Sequence, residues 1–96
     1  MSNLADGQIE QMRGILKGFQ CKNSNEILNS NDIVEYLENI CEVALGFKNA
    51  TKLAYGKNED TKLIEDIGMK LRKLSETSFA TKSNAKIKNS IERINA

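Results

Sequence analysis

The chain has 96 residues, enough for one compact domain but too few for two self-sufficient hydrophobic cores. Its 14 Lys and Arg against 13 Asp and Glu leave a net charge of +1, which excludes a polyanionic tail protein and a uniformly basic, histone-like chain. It has no His, Trp or Pro, so most catalytic and metal-binding chemistries lack their usual side chains. We therefore expect a single domain over residues 1–96 that is not an enzyme and binds no cofactor or metal.

The apolar residues favour helices over sheets. Leu and Ile together number nineteen, whereas Val, a strong strand former, occurs only twice. The longest uncharged apolar stretch, residues 43–47, is five residues long, where a membrane-spanning helix needs about 20. We predict an all-α, soluble, cytoplasmic protein with no membrane segment. Eleven Asn and eleven Lys without Pro are typical of AT-rich genes, such as those of low-GC bacteria, their phages and some protists.

Apolar periodicity predicts the first helix over residues 3–20. At about 100° per residue its apolar side chains fall within one arc, which comprises Leu4, Ile9, Met12, Ile15, Leu16 and Phe19. The next segment is rich in Asn and Ser, which compete with helical hydrogen bonds, and Ile27 and Leu28 form an apolar pin in its middle.

Asp32 and Glu35 have the spacing of a capping box and predict the start of the second helix. Its apolar face is wide, which indicates the central helix of a bundle; the face comprises Ile33, Val34, Tyr36, Leu37, Ile40, Cys41, Val43, Ala44, Leu45 and Phe47. An unchanged register would turn Lys48 inward, so we expect a kink or break near Gly46. A continuation would then bury Ala50, Leu53 and Ala54, reach Tyr55 and stop at Gly56.

Asn58 is predicted to cap the third helix, with acidic residues in the first turn where the helix dipole favours them. Its stripe comprises Leu63, Ile64, Ile67, Leu71 and Leu74. We expect this helix to fray near Phe79–Thr81. A short fourth helix has only three isoleucines, so we expect it to be loosely docked or completed by a partner; they are Ile87, Ile91 and Ile94. The sequence predicts a small bundle of three longer helices plus a short C-terminal helix.

Four carboxylates lie on the second helix opposite its apolar face, and we call them the acidic ridge: Asp32, Glu35, Glu38 and Glu42. No Lys or Arg occurs between Glu26 and Phe47 to neutralise them. One hypothesis is that the ridge recognises a basic surface on a partner protein; the alternative is a solvated helix face. A metal site is disfavoured, because metal sites in helical bundles use inward carboxylates with a nearby His.

Three glycines lie together on the first helix, away from its apolar face, and we call them the glycine face: Gly7, Gly14 and Gly18. Each interior glycine costs about 1 kcal/mol relative to alanine, so a compensating contact is one hypothesis. Small residues let two helix backbones approach closely, either in a partner protein or in a second copy of the chain. The alternative is that these are ordinary glycines in a weak helix.

The C-terminal segment is locally basic through Lys82, Lys86, Lys88 and Arg93. One interpretation is phosphate binding on nucleic acid, and the other is solubility. Proteins that recognise a base sequence add side chains that contact base edges, and proteins that stack on bases add aromatic residues. No aromatic residue is interleaved with these lysines. Nucleic-acid binding is therefore the alternative function, behind protein binding.

Cys21 and Cys41 are interpreted as two reduced thiols, because a single cysteine pair without a signal peptide is typical of a cytosolic protein. Neither has an obvious activating base, so an enzyme that uses Cys21 is a remote alternative. In size and helical character the chain is similar to small helical immunity proteins and phage-encoded inhibitors. Small size, the lack of catalytic side chains and a charge distribution segregated by helix favour a non-enzymatic inhibitor, immunity or accessory protein that covers a surface of a larger protein.

Overall fold

The computed structural model describes residues 2–51 and 58–96, and the side chains of residues 7–51 and 58–96. Within these ranges the chain forms helices and no strands, which confirms the predicted all-α fold. The helices are α1 (Ser2–Cys21), α2 (Ser24–Leu28), α3 (Ile33–Thr51), α4 (Glu59–Thr77), α5 (Phe79–Lys82) and α6 (Ala85–Asn95). Three long helices and a shorter C-terminal helix match the predicted bundle, and the short α2 and α5 occupy connections. None of the described helices has the length and apolar character that crossing a bilayer requires.

Three asparagines cap helix N-termini with their side chains. Asn23, Asn58 and Asn84 each accept a hydrogen bond from a backbone N–H two or three residues further along, at 2.8, 2.8 and 3.0 Å. The predicted cap at Asn58 is confirmed. Asp32 differs from the predicted capping box, because it contributes its backbone carbonyl, which accepts the N–H of Tyr36 at 2.9 Å. No side-chain cap by its carboxylate occurs among the described residues.

The long helices each contribute one buried stripe to a common core. The buried apolar residues are Leu16, Phe19, Ile27, Ile33, Leu37, Ile40, Cys41, Ala44, Phe47, Leu63, Ile64, Ile67, Leu71, Leu74, Ile87, Ile91 and Ile94. The predicted stripes of α3, α4 and α6 and the pin at Ile27 are confirmed. On α1, the predicted inner residue Ile15 is 43% exposed, and Leu4 lies outside the described side chains. Both α1 and α6 pack against α3 and against α4.

α3 continues through Gly46 as one uninterrupted helix, so the expected break does not occur, and a bend of its axis stays a prediction. Lys48 shows why no break is needed. It is half-buried at the edge of the core, and its ammonium donates to the carbonyl oxygens of Arg93, Ile94 and Ala96 at 3.1 to 3.2 Å. The lysine keeps its helical register because its aliphatic stem packs while its charge reaches the end of α6.

Gly46 itself contacts α1. A Cβ at this position would lie 3.3 Å from the methyl carbon of Met12, so the glycine makes room for that side chain. Ala50, which was predicted to be buried, is exposed. The rest of the predicted continuation lies outside the described residues and comprises Leu53, Ala54, Tyr55 and Gly56.

α6 is docked firmly in the groove between α3 and α4, so the expectation of a loose helix was wrong. Ile87, Ile91 and Ile94 are 0%, 5% and 2% exposed. Gly68 of α4 permits the close approach, because a Cβ there would lie only 2.5 Å from Oδ1 of Asn95. The side-chain amide of Asn95 also donates to the Gly68 carbonyl at 3.3 Å. Three isoleucines suffice because α6 packs against both α3 and α4.

The Ser- and Thr-rich segment after α4 is ordered by buried hydrogen bonds. α4 ends at Thr77, two residues before the predicted region of fraying. Thr81 is fully buried in α5, and its hydroxyl donates to the carbonyl of Ser75 at 3.1 Å. The Ser75 hydroxyl donates in return to the Thr81 carbonyl at 3.4 Å. This reciprocal pair fixes α5 against the end of α4.

Polar contacts join α1 to its neighbours. The guanidinium of Arg13 donates two hydrogen bonds, each 2.9 Å long, to the two carboxylate oxygens of Asp60. This pairing lowers the pKa of Asp60. At the other end of α1, the ammonium of Lys70 donates to the carbonyls of Phe19 at 2.7 Å and Gln20 at 3.1 Å. Lys70 therefore caps the C-terminus of α1 as Lys48 caps that of α6.

Candidate functional site

The acidic ridge lies on the side of α3 that faces away from the core. Asp32, Glu35 and Glu42 are exposed, and Glu38 is half-buried. At 1.5 Å per residue, Glu35 and Glu42 are about 10 Å apart along the helix. The other side of α3 is packed in the core, so the helix cannot turn. The structure thus brings the four predicted carboxylates together on one rigid surface.

None of the ridge carboxylates is ion-paired among the residues that the structure describes. The ion pairs in these ranges are those that Arg13 makes with Glu10 and Asp60. One cation, Lys86 of α6, lines the same cleft as Glu38 and Glu42 without forming a salt bridge to either of them. The ridge is therefore a surface of net negative charge with a single lysine at its edge.

The cleft beside the ridge separates α3 from α6 and has a volume of about 210 Å³. Leu45, Ile87 and Cys41 contribute apolar walls, and Glu38 and Lys86 contribute charges. Burial, with a smaller contribution from the charge of Glu38, raises the pKa of the Cys41 thiol to about 11. The thiol is therefore protonated at neutral pH and is a poor nucleophile.

The ridge carboxylates do not converge. They follow one another along the outside of a helix, whereas a metal ion in a helical bundle is held by side chains that point to a common centre. Across residues 7–51 and 58–96, no group of three or more His, Cys, Asp or Glu side chains is placed to hold a metal ion. What the ridge can do chemically is attract and contact a positively charged surface.

The glycine face of α1 is open. Gly7, Gly14 and Gly18 are all exposed, and a Cβ on any of them would have nothing within 4 Å. Ile15 lies beside them on the same helix and is 43% exposed. No contact among the described residues explains these glycines. The glycine that does permit a close approach between helices is Gly68 of α4.

The structure divides the four predicted C-terminal cations between two sides of α6. Lys82 and Lys88 line a cleft together with Arg72 of α4. Lys86 lines the cleft beside the acidic ridge instead. Arg93 is exposed two turns after Lys86 on the same side of the helix. The basic segment is therefore not one continuous surface.

Two exposed apolar side chains, on α4 and α5, were missed by the sequence interpretation. Phe79 of α5 is 88% exposed, and Met69 of α4 is 65% exposed. Phe79 does not belong to the apolar stripe of any long helix; it is the first residue of α5, two residues before the buried Thr81. The available signal was a lone aromatic residue in a Ser- and Thr-rich segment that follows no helical register.

The two cysteines are free thiols, as predicted. Cys21 is exposed at the end of α1, and Cys41 is buried in α3. An enzyme that uses Cys21 would need a neighbouring base, and the chain contains no His to supply one. Burial lowers the pKa of Lys70, and the negative charge of an ionised Cys21 would oppose part of that shift.

Comparison of the chain with protein-family models, curated proteins and solved structures found no match. The acidic ridge has a uniform charge, because the three carboxylates of α3 and Asp32 just before it have the same sign.

Proposed function

We propose that this chain is a small non-enzymatic protein-binding module, of the inhibitor, immunity or accessory kind, whose acidic ridge covers a basic surface of a larger protein. The observation that supports this proposal is the set of three carboxylates on the rigid helix α3 and a fourth, Asp32, immediately before it, without ion pairs among the described residues. Because α3 is held by the core, the ridge keeps its spacing on binding and little conformational entropy is lost.

The charge of the ridge acts mainly on the rate of association. Carboxylates of one sign on a common surface steer a basic partner, and this attraction weakens as salt is added. Each exposed ion pair contributes only about 0.2 to 1 kcal/mol, so an apolar contact must complete the interface. The half-buried Leu45 lies in the cleft beside Glu42 and offers such a contact.

The glycine face is the second proposed contact. A partner helix can approach the α1 backbone closely where Gly14 and Gly18 present no Cβ. Because nothing lies within 4 Å of these positions, Gly14→Leu combined with Gly18→Leu should leave the fold intact and abolish association. Unchanged partner binding by this folded double variant would end this part of the proposal.

The ridge is tested by affinity capture from cells that carry the gene. The baits are the wild-type chain and a ridge variant with Glu35→Lys, Glu38→Lys and Glu42→Lys. We expect a specific protein with a basic surface to be retained by the wild type and lost from the ridge variant. A differently tagged copy of the chain in the same lysate shows whether the captured partner is a second copy.

The matched control changes the same charge elsewhere. Glu65, Glu76 and Glu92 are exposed residues outside α3, and reversing all three to Lys changes the net charge by the same amount. The captured protein should remain on this control bait. Identical capture by all three baits, or equal loss from both variants, would exclude the ridge as the binding surface.

A further inference from the structure

A second charged surface lies where α4, α5 and α6 meet. Arg72, Lys82 and Lys88, one from each helix, line a cleft of about 310 Å³. Arg72 also lines an adjoining, wider cleft of about 560 Å³ with Lys70 and Lys73. Neither cleft shares a lining residue with the one beside the acidic ridge. Within the described residues, none of these five cations forms an ion pair within 4.0 Å.

An exposed aromatic ring lies on the same turn as one of these cations. Phe79 is three residues before Lys82, so both side chains lie on the same side of the α5 turn. The ring is 88% exposed and is the most exposed large apolar side chain among the described residues. The buried hydrogen bonds between Thr81 and Ser75 fix this turn, so the ring and the lysine are held by ordered structure rather than by a loose loop.

We propose that this surface binds single-stranded nucleic acid. Arg72, Lys82 and Lys88 contact phosphates, and Phe79 stacks on an unpaired base. This combination of a positive groove and an exposed aromatic ring is the common basis of single-strand binding without strong sequence preference. The site goes beyond the proposed protein-binding function, because it uses different helices and different residues.

The acidic residues in the cleft favour nucleic acid over an acidic protein segment. Glu76 and Glu92 line the same cleft as the three cations. The side chains of an acidic peptide would be repelled by these two residues and could not donate hydrogen bonds to them. A nucleotide has N–H groups on its base edge that can donate hydrogen bonds to a glutamate. It also carries phosphates that the cations attract.

The test is fluorescence anisotropy with the full chain and a labelled oligothymidylate of about 12 nucleotides. If the three cations neutralise three phosphates, affinity should fall roughly 20-fold between 50 and 200 mM salt. Phe79→Ala should weaken binding by about fivefold or more, and Phe79→Tyr should retain it, because stacking needs the ring. Phe79 is exposed, so circular dichroism should show an unchanged fold for both variants.

A matched pair of charge variants locates the site. Arg72→Gln with Lys82→Gln and Lys88→Gln should abolish binding, whereas Lys62→Gln with Lys86→Gln and Arg93→Gln removes the same charge and should preserve most of it. The proposal is overturned by absent binding at 50 mM salt, by equal loss in the two triple variants, or by tighter binding of the corresponding duplex. Tighter binding of labelled polyglutamate would assign the surface to an acidic protein and would also overturn it.

Discussion

The α4–α6 contact and the outer face of α1 both contain glycines, but for opposite physical reasons. At Gly68 a Cβ would lie 2.5 Å from the side chain of Asn95, so the residue must be small for α6 to dock. At Gly14 and Gly18 a Cβ would meet nothing within 4 Å. The first glycine makes room for the Asn95 side chain, whereas the other two lower helix stability without a compensating contact in the described chain.

The difference shows that residue type alone does not reveal which glycine marks a close approach. The helical spacing of three glycines on α1 predicted a close approach, whereas the single glycine in the apolar stripe of α4 predicted none. The packed glycine is distinguished by its position, because Gly68 lies between Ile67 and Leu71 on the buried side of α4. The same substitution made at Gly68 and at a glycine of α1 measures this difference directly.

The largest effect is expected from Gly68→Leu. Its side chain would enter the space of Asn95 and force α6 away from α4, so the free energy of unfolding should fall by about 3 kcal/mol. Gly18→Leu is the control, and it should leave that free energy unchanged or raise it by about 0.5 kcal/mol. Urea unfolding measures both variants. Equal losses would show that α6 does not depend on the Gly68 contact.

The next effect comes from Cys41 and depends on pH. Burial raises the pKa of its thiol from the usual 9.0 to about 11, so the folded chain keeps a proton that the unfolded chain releases. The free energy of unfolding should therefore fall as pH rises from about 9 to 11, by about 2 kcal/mol in total.

Urea midpoints across this pH range measure the effect, and two variants assign it. Cys41→Ala should remove this part of the slope, whereas Cys21→Ala, at the exposed end of α1, should retain it. The pKa of Tyr36 is also raised by burial, but the tyrosine is present in all three proteins and cancels in the comparison. The same slope in the wild type and in Cys41→Ala would exclude Cys41 as its source.

A smaller loss is expected from Lys48→Met, which keeps an apolar stem but removes the ammonium that caps α6. The free energy of unfolding should fall by about 1 kcal/mol. Hydrogen exchange in the last turn of α6 should become faster than in the wild type. Lys17→Met, on the exposed side of α1, serves as the control and should change neither quantity measurably. Unchanged exchange in the Lys48 variant would show that the cap is not needed.

The smallest effect has the opposite sign. Gly14→Ala adds a methyl group in open space and a better helix former, so the free energy of unfolding should rise by about 0.7 kcal/mol. Gly68→Ala offers the same gain in helix propensity, but Asn95 must move and lose its hydrogen bonds. Thermal unfolding of the two alanine variants should therefore show a gain for the first only, and similar gains would remove the distinction between the two regions.

Much of the fold could be predicted because helical periodicity is a local signal. The stripe from Leu63 to Leu74 and the cap at Asn58 depend on residues within a few turns of each other. Contacts between distant segments carry no such signal. Lys48 reaches the carbonyl of Arg93 across 45 residues, and this contact removes the reason for the expected break at Gly46.

The candidate site could also be predicted only in part. The placement of Glu35 and Glu42 on the exposed side of α3 follows from the helical period, and the structure agrees. The position of Lys86 beside that ridge, and of Lys88 in a different cleft, depends on how α6 is rotated against two other helices. A spacing of two residues places Lys86 and Lys88 about 200° apart on a helix, so the sequence could have separated them. Residue spacing does not encode which helix faces each of them, so the clefts themselves could not be predicted.

The docking of α6 between two helices also determines when it can form during folding. Neither α3 nor α4 alone provides both walls of the groove, and closing the contact between Lys48 and Arg93 brings together residues 45 positions apart. We therefore expect the C-terminal helix to join a partly assembled bundle after the main kinetic barrier has been crossed. In stopped-flow experiments, Ile91→Val should accelerate unfolding and leave the refolding rate nearly unchanged.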